Sequence, residues 1–256
     1  MRLGIIQGRL SSPVGGKIQE FPMDCWEGEF SILKHLNLNH IEWIITKKSF
    51  NEKVTDLKIG RYSTMVSSIC CDHVIDEKII EIDFLEENLS PVCEWALKNK
   101  ITSINIPLLE ESKITNENKE KLFNTLILFS KKYKNINFNF EIESDIKTCL
   151  ELVTQRDNLF LVYDTGNITS CGFDSEEWIT KGFNYIRHVH LKDRTISPVQ
   201  TVEPLKGDTN FVKIFDLLKN KNYNYYYTIQ TCRGEDGKES ETIKKHVKIF
   251  KELYGS

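Results

Sequence analysis

The chain has 256 residues, 40% hydrophobic and 28% charged, with a formal net charge of −3 and no basic block, which fits a soluble globular protein without an electrostatic footprint for nucleic acid. Seven scattered cysteines, only Cys70 and Cys71 adjacent and none in a C-x-x-C pair, suit reduced thiols in a cytoplasm and argue against a disulfide framework or a structural zinc site. No apolar stretch is long enough to span a bilayer, and the first apolar run is too brief for a signal peptide, so the expected protein is cytoplasmic with no membrane partner.

Eight short apolar runs, often β-branched, recur along the chain at 3–7, 39–45, 65–70, 102–106, 136–142, 159–163, 185–191 and 224–230. The first is followed by residues 11–23, a loop rich in Pro and Gly that is long enough to act as a lid. Between later runs lie amphipathic stretches. Leu122, Leu126, Phe129 and Tyr133 share one helical face, as do Phe211, Ile214, Phe215 and Leu218. Asp174 with Glu177 reads as a capping box after the sixth run, and Ile243, Val247, Phe250 and Leu253 predict a closing helix over 241–254. Strict alternation of strand and helix implies parallel strands joined by right-handed crossovers. Eight such units in 256 residues predict an α/β fold, a single (β/α)8 barrel occupying residues 1–256. The first turn, Gly4 to Arg9, lacks G-x-G-x-x-G spacing, which argues against an open dinucleotide-binding sheet.

In such a barrel the chemistry gathers at the carboxyl ends of the strands. Period-2 alternation places Glu141 and Glu143 on the inward side of the fifth strand and His188 and His190 on one side of the seventh. The sixth strand ends in Asp164 and the eighth runs into Gln230. Glu143, Asp164, His190 and Gln230 thus come from four consecutive strands and are expected to bind one divalent metal ion. Three oxygen donors and one imidazole favour Mn2+ or Mg2+, with Co2+ and Zn2+ admitted. Arg9, Arg194 and Arg233 fall just past strand ends, where a guanidinium can clamp phosphate or carboxylate, and Lys192 and Asn167 are candidates for hydroxyl contacts. His188 and Glu42 join the candidate substrate-binding residues, although Glu42 also fits a structural network inside the barrel.

The segments Gly4 to Leu10, Ile41-Glu42-Trp43, Ser68 to Cys70 with Asp72, Glu143 to Asp145, Asp164 to Asn167, His188 to Asp193 and Gln230 to Arg233 resemble the xylose-isomerase-like TIM-barrel superfamily, within it the sugar-phosphate isomerase/epimerase group. The resemblance implies a metal held by Glu, Asp, His and Glu at the ends of strands five to eight, which carries over to Glu143, Asp164, His190 and Gln230. It implies isomerisation or epimerisation of a sugar, ketose phosphate or related hydroxy-carbonyl compound in carbohydrate metabolism, by α-proton transfer through an enediolate. Glu143 is then ligand and base, with Glu141 as its substitute. Gln230 stands where many relatives have glutamate, and an amide cannot accept a proton at useful pH. Glu141, Glu42 and Asp193 are therefore candidates for a second acid/base. Two other readings are a metal- or sugar-binding barrel without turnover and an abasic-site endonuclease-like hydrolase. The second is disfavoured by six histidines in all and an acidic balance. The oligomeric state is left open, a homo-oligomer included.

Overall fold

The computed structural model describes residues 1–255. Eight parallel strands close into a barrel: β1 (Arg2–Ile6), β2 (Ile41–Ile44), β3 (Val66–Cys70), β4 (Ser103–Leu108), β5 (Asn137–Ile142), β6 (Leu159–Asp164), β7 (Ile186–Leu191) and, after the hairpin β8 (Asp193–Ile196) and β9 (Val199–Val202), β10 (Tyr226–Ile229). Their order around the barrel is β1-β10-β7-β6-β5-β4-β3-β2, and the circle closes by β1 pairing with both β10 and β2. Helices α1 (Trp26–His35), α2 (Lys47–Asn51), α3 (Ile82–Asn88), α4 (Ser90–Lys98), α5 (Lys119–Lys132), α6 (Ile146–Val153), α7 (Thr165–Ser170), α8 (Ser175–Gly182), α9 (Phe211–Asn220) and α10 (Glu239–Gly255) occupy the connections and the C-terminal segment.

The expected α/β barrel is therefore what forms, because each apolar run is buried on both faces and each amphipathic stretch lays its apolar side on the strands. In α9, for example, Phe211, Ile214, Phe215 and Leu218 are all buried. Asp174 does cap α8, but its side chain accepts from Glu176 N, with no reciprocal bond from Glu177. The hairpin β8–β9 is an addition to the expected elements. It projects from the end of β7, and its Val199 and Thr201 line the mouth of the barrel.

The packing between β1 and β2 is tight enough to need a glycine. A Cβ on Gly4 would stand 2.3 Å from His40 O and 2.4 Å from the His40 ring. Gly4→Ala should therefore push β1 away from the segment leading into β2 and destabilise the fold by about 1–3 kcal/mol, the range for overpacking a dense interior. Thermal unfolding reads this directly, and an unchanged midpoint would contradict the packing described here.

The loop over residues 11–23 lies across the barrel mouth and is fastened at several points. Buried Glu29 of α1 accepts hydrogen bonds from Gly8 N (2.9 Å), Leu10 N (3.0 Å) and Ser11 Oγ (2.9 Å). Arg9 donates to Thr231 O (3.2 Å) and Ile18 O, and Arg233 donates to Ile18 O (2.9 Å), Ser11 O (3.0 Å) and Gly8 O. Burial and the neighbouring Arg233 hold the Arg9 pKa down to about 10, so its charge is retained at neutral pH.

Candidate metal centre and active site

Polar side chains replace much of the usual apolar filling along the barrel axis. Asn139 Nδ2 donates to Asn105 Oδ1 (2.6 Å), and Asn105 Nδ2 donates to Glu42 Oε1 (2.8 Å). Glu42 Oε2 lies 2.9 Å from His188 Nε2 and 3.0 Å from His190 Nε2. Thr228 Oγ1 bridges the Nε2 atoms of His188 and His40, at 2.5 and 3.0 Å. All these side chains are fully buried, so each hydrogen bond offsets a desolvation cost that an orphaned group would carry in full. Burial alone would raise the Glu42 pKa, but His190 and His188 outweigh it and hold the carboxyl well below its ordinary value.

His190 marks the top of this column. Its Nε2 faces Glu42, while its Nδ1 is 3.1 Å from Glu141 Oε2 and 3.9 Å from Asp164 Oδ2. Burial would lower its pKa, yet the flanking carboxylates Glu42 and Glu141 raise it to about 10. Donor atoms of Glu141, Asp164 and His190 all fall within 4.8 Å of one another, a spacing that can hold a metal ion. Asp164 Oδ1 caps α7 by accepting from Asn167 N (2.8 Å), which leaves Oδ2 with only the Lys192 ammonium, 2.8 Å away. Gln230 follows β10 and its Nε2 donates to Gln19 Oε1 (3.3 Å), while its own buried Oε1 has no hydrogen-bond partner. Two carboxylates and an imidazole in one cluster, with an orphaned amide oxygen at the end of the neighbouring barrel strand β10, make a donor set that fits a divalent cation. Glu42, already bonded to Nε2, supplies the outer carboxylate that orients a metal-binding histidine.

The sequence-expected residues divide into two groups. Asp164 and His190 meet, with Gln230 among the residues lining the cleft above them, but Glu143 does not join them. β5 ends at Ile142, so the alternation that points Glu141 inward no longer governs Glu143. Its half-buried side chain lies on the rim, 3.7 Å from Arg194 Nη1, and burial with nearby Glu141 raises its pKa. Glu141 takes the inner place instead. Asn167 holds it there by donating Nδ2 to Glu141 Oε1 (2.7 Å), and Arg194 Nη1 and Lys192 Nζ donate to Asn167 Oδ1 (2.9 and 3.4 Å).

Three of the expected substrate contacts are placed otherwise. Arg233 spends its guanidinium on the Ile18, Ser11 and Gly8 carbonyls, and Glu42 and His188 lie inside the column below the cleft, whereas Arg9 does line the cleft while also bonding Ile18 O and Thr231 O. Asp193, an expected second acid/base, is fully buried and accepts from Gly207 N (2.9 Å) and Thr209 N (3.2 Å), a loop-holding role. Asn167, Lys192 and Arg194 do line a cleft of about 780 Å³, with Glu141, Glu143 and Gln230. Gln19 and Asp72, given no site role from the sequence, also line it. Asp72 was within reach, since it follows the third strand as closely as other candidates follow theirs. Nothing in the sequence singles out Gln19.

Residues 133–253 match the family model described as xylose isomerase-like TIM barrel. Over that stretch the chain is similar to this family, and its fold is a TIM barrel. Among curated relatives of this barrel, an inosose dehydratase of Bacillus cereus (strain AH820) is 22% identical over 216 residues, 73% of this chain and 72% of that one. An inosose dehydratase of Clostridium tetani (strain Massachusetts / E88) is 27% identical over 151 residues, 48% and 51% of the two chains. Among solved structures, the IOLI protein with a bound zinc atom superposes with a TM-score of 0.77 at 14% identity, covering 100% of this chain and 98% of that one. A D-psicose 3-epimerase with D-tagatose, from Clostridium cellulolyticum H10, gives 0.76 at 12% identity and 99% coverage of both. Among the described residues, no helix of this barrel is long and apolar enough to cross a membrane.

Proposed function

We propose that this barrel is a metal-dependent isomerase or epimerase that moves the proton on the carbon beside a carbonyl of a small polyhydroxylated compound, a sugar, ketose phosphate or cyclic polyol ketone. The observation that carries this reading is the cluster of Glu141, Asp164 and His190, beside a cleft whose lining includes Gln230 with its partnerless Oε1. Glu141, Asp164, His190 and Gln230 would hold one divalent ion. Its charge supplies Lewis acidity, withdrawing electron density from the substrate carbonyl so that the α-proton is easier to remove.

The chain's own residues do the rest. Glu141, not Glu143, is the ligand and the base, with Asn167 Nδ2 fixing its Oε1. Loading the ion removes a proton from His190, so metal affinity should rise with pH below about 10. Lys192 and Arg194 give the cleft a cationic wall suited to hydroxyl, carboxylate or phosphate oxygens.

One specific feature favours a second reaction on the same carbanion. Gln230 cannot exchange protons, and a single base suffices if the enediolate expels a β-hydroxyl as water, a chemistry in keeping with relatives named as dehydratases. The test is a panel of ketohexoses, ketopentoses, their phosphates and inosose, incubated with Mn2+ in D2O. Deuterium entering beside the carbonyl supports the proton-transfer reading, and retention or loss of water in the product separates isomerase from dehydratase. No exchange across the panel would count against catalysis and for a binding protein.

A further inference from the structure

We propose that Asp72 is the second acid/base group of this cleft, delivering the proton that Gln230 cannot. The inference rests on reading the cleft as a proton-transfer site, and it begins from elimination. The carboxylates lining the cleft are Asp72, Asp76, Glu110, Glu141 and Glu143. Glu141 is the base, Glu143 faces Arg194, and Asp76 and Glu110 are exposed on the outer wall. Asp72, directly after β3, is the one remaining carboxylate shielded from solvent inside the cleft.

Its position is defined by the lid. Gln19 Nε2 donates to Asp72 Oδ1 (3.1 Å), while Gln19 Oε1 accepts from Gln230 Nε2 (3.3 Å) and Arg9 Nη2 (3.3 Å). A single side-chain amide therefore spans from the residue that replaces the family's second glutamate to the Asp72 carboxyl. The Gln19 bond engages Asp72 through Oδ1, on the carboxyl that lines the cleft. Burial, then Glu141, raise the Asp72 pKa to about 6, with the Gln19 hydrogen bond opposing them and Asp76 and Glu20 acting in the same direction as burial. A carboxyl in that range both donates and accepts protons near neutrality.

The step balances without a co-reactant. Glu141 takes the α-proton and its electron pair passes into the enediolate. The Asp72 carboxyl then gives its proton to that carbon, where the returning electron pair forms the new C–H bond. Protonated Glu141 and ionised Asp72 reset by exchange with water.

Asp72→Asn keeps the shape and the Gln19 bond while removing the proton. With the panel member that wild type exchanges fastest, at saturating Mn2+, the variant should lose 100- to 10,000-fold in product formation by NMR. Deuterium exchange at the same carbon, which needs only Glu141, should fall less than tenfold and shows at once that the variant is folded. Asp72→Ala should show the same split. Product formation near the wild-type rate, or an equal loss of exchange and product, overturns the assignment of Asp72 and leaves the reading of the cleft standing. A wild type that exchanges with no panel member overturns both.

Discussion

Replacing Glu141 by Gln should slow α-proton exchange by about two to four orders of magnitude, the cost of removing a general base. The substitution conserves volume, and Asn167 can still hydrogen-bond to an amide oxygen, so the fold should survive. Because Glu141 is also a metal donor, the comparison belongs at saturating Mn2+. Glu143→Gln is the matched control. Its carboxyl sits 3.7 Å from Arg194 and outside the group around His190, so its loss should change exchange by no more than a few-fold. The opposite ranking would return the base to Glu143 and show that the rim carboxylate swings inward when substrate binds.

Removing His190 should have two consequences at once. His190→Ala deletes the imidazole shared by Glu42 and Glu141, so the site should lose its divalent ion. It also leaves the fully buried Glu42 with His188 and Asn105 alone. Breaking a buried charge pair from one side costs roughly 3–5 kcal/mol. Since His188 remains, a loss near the lower end is expected, measured by urea unfolding of the metal-free protein. A metal-free variant as stable as wild type would mean that Glu42 is neutral or solvated, against the bonding described here.

The barrel was legible because its signal is repeated eight times, and a misjudged boundary in one unit does not disturb the others. Asp164 and His190 were legible for the same reason, each ending an apolar run. The choice between Glu141 and Glu143 was not. Alternation gives both the same direction, and only the point where β5 stops separates them. Depth is equally invisible to periodicity. Glu42 and His188 point inward as expected, but the stagger of the strands buries them below the cleft. Strand-end arginines pose a different difficulty, since Arg9 and Arg233 both turn toward the Ile18 carbonyl, which comes within reach only once the lid has folded. The hairpin β8–β9 went unread because its short, mostly polar strands look like a loop until they pair.

The most direct measurement is the anomalous difference map of a crystal grown with Mn2+. The account predicts one strong peak per chain among Glu141, Asp164, His190 Nδ1 and Gln230 Oε1. A peak on the rim at Glu143, or one inside the column between Glu42, His188 and His190 Nε2, would contradict it.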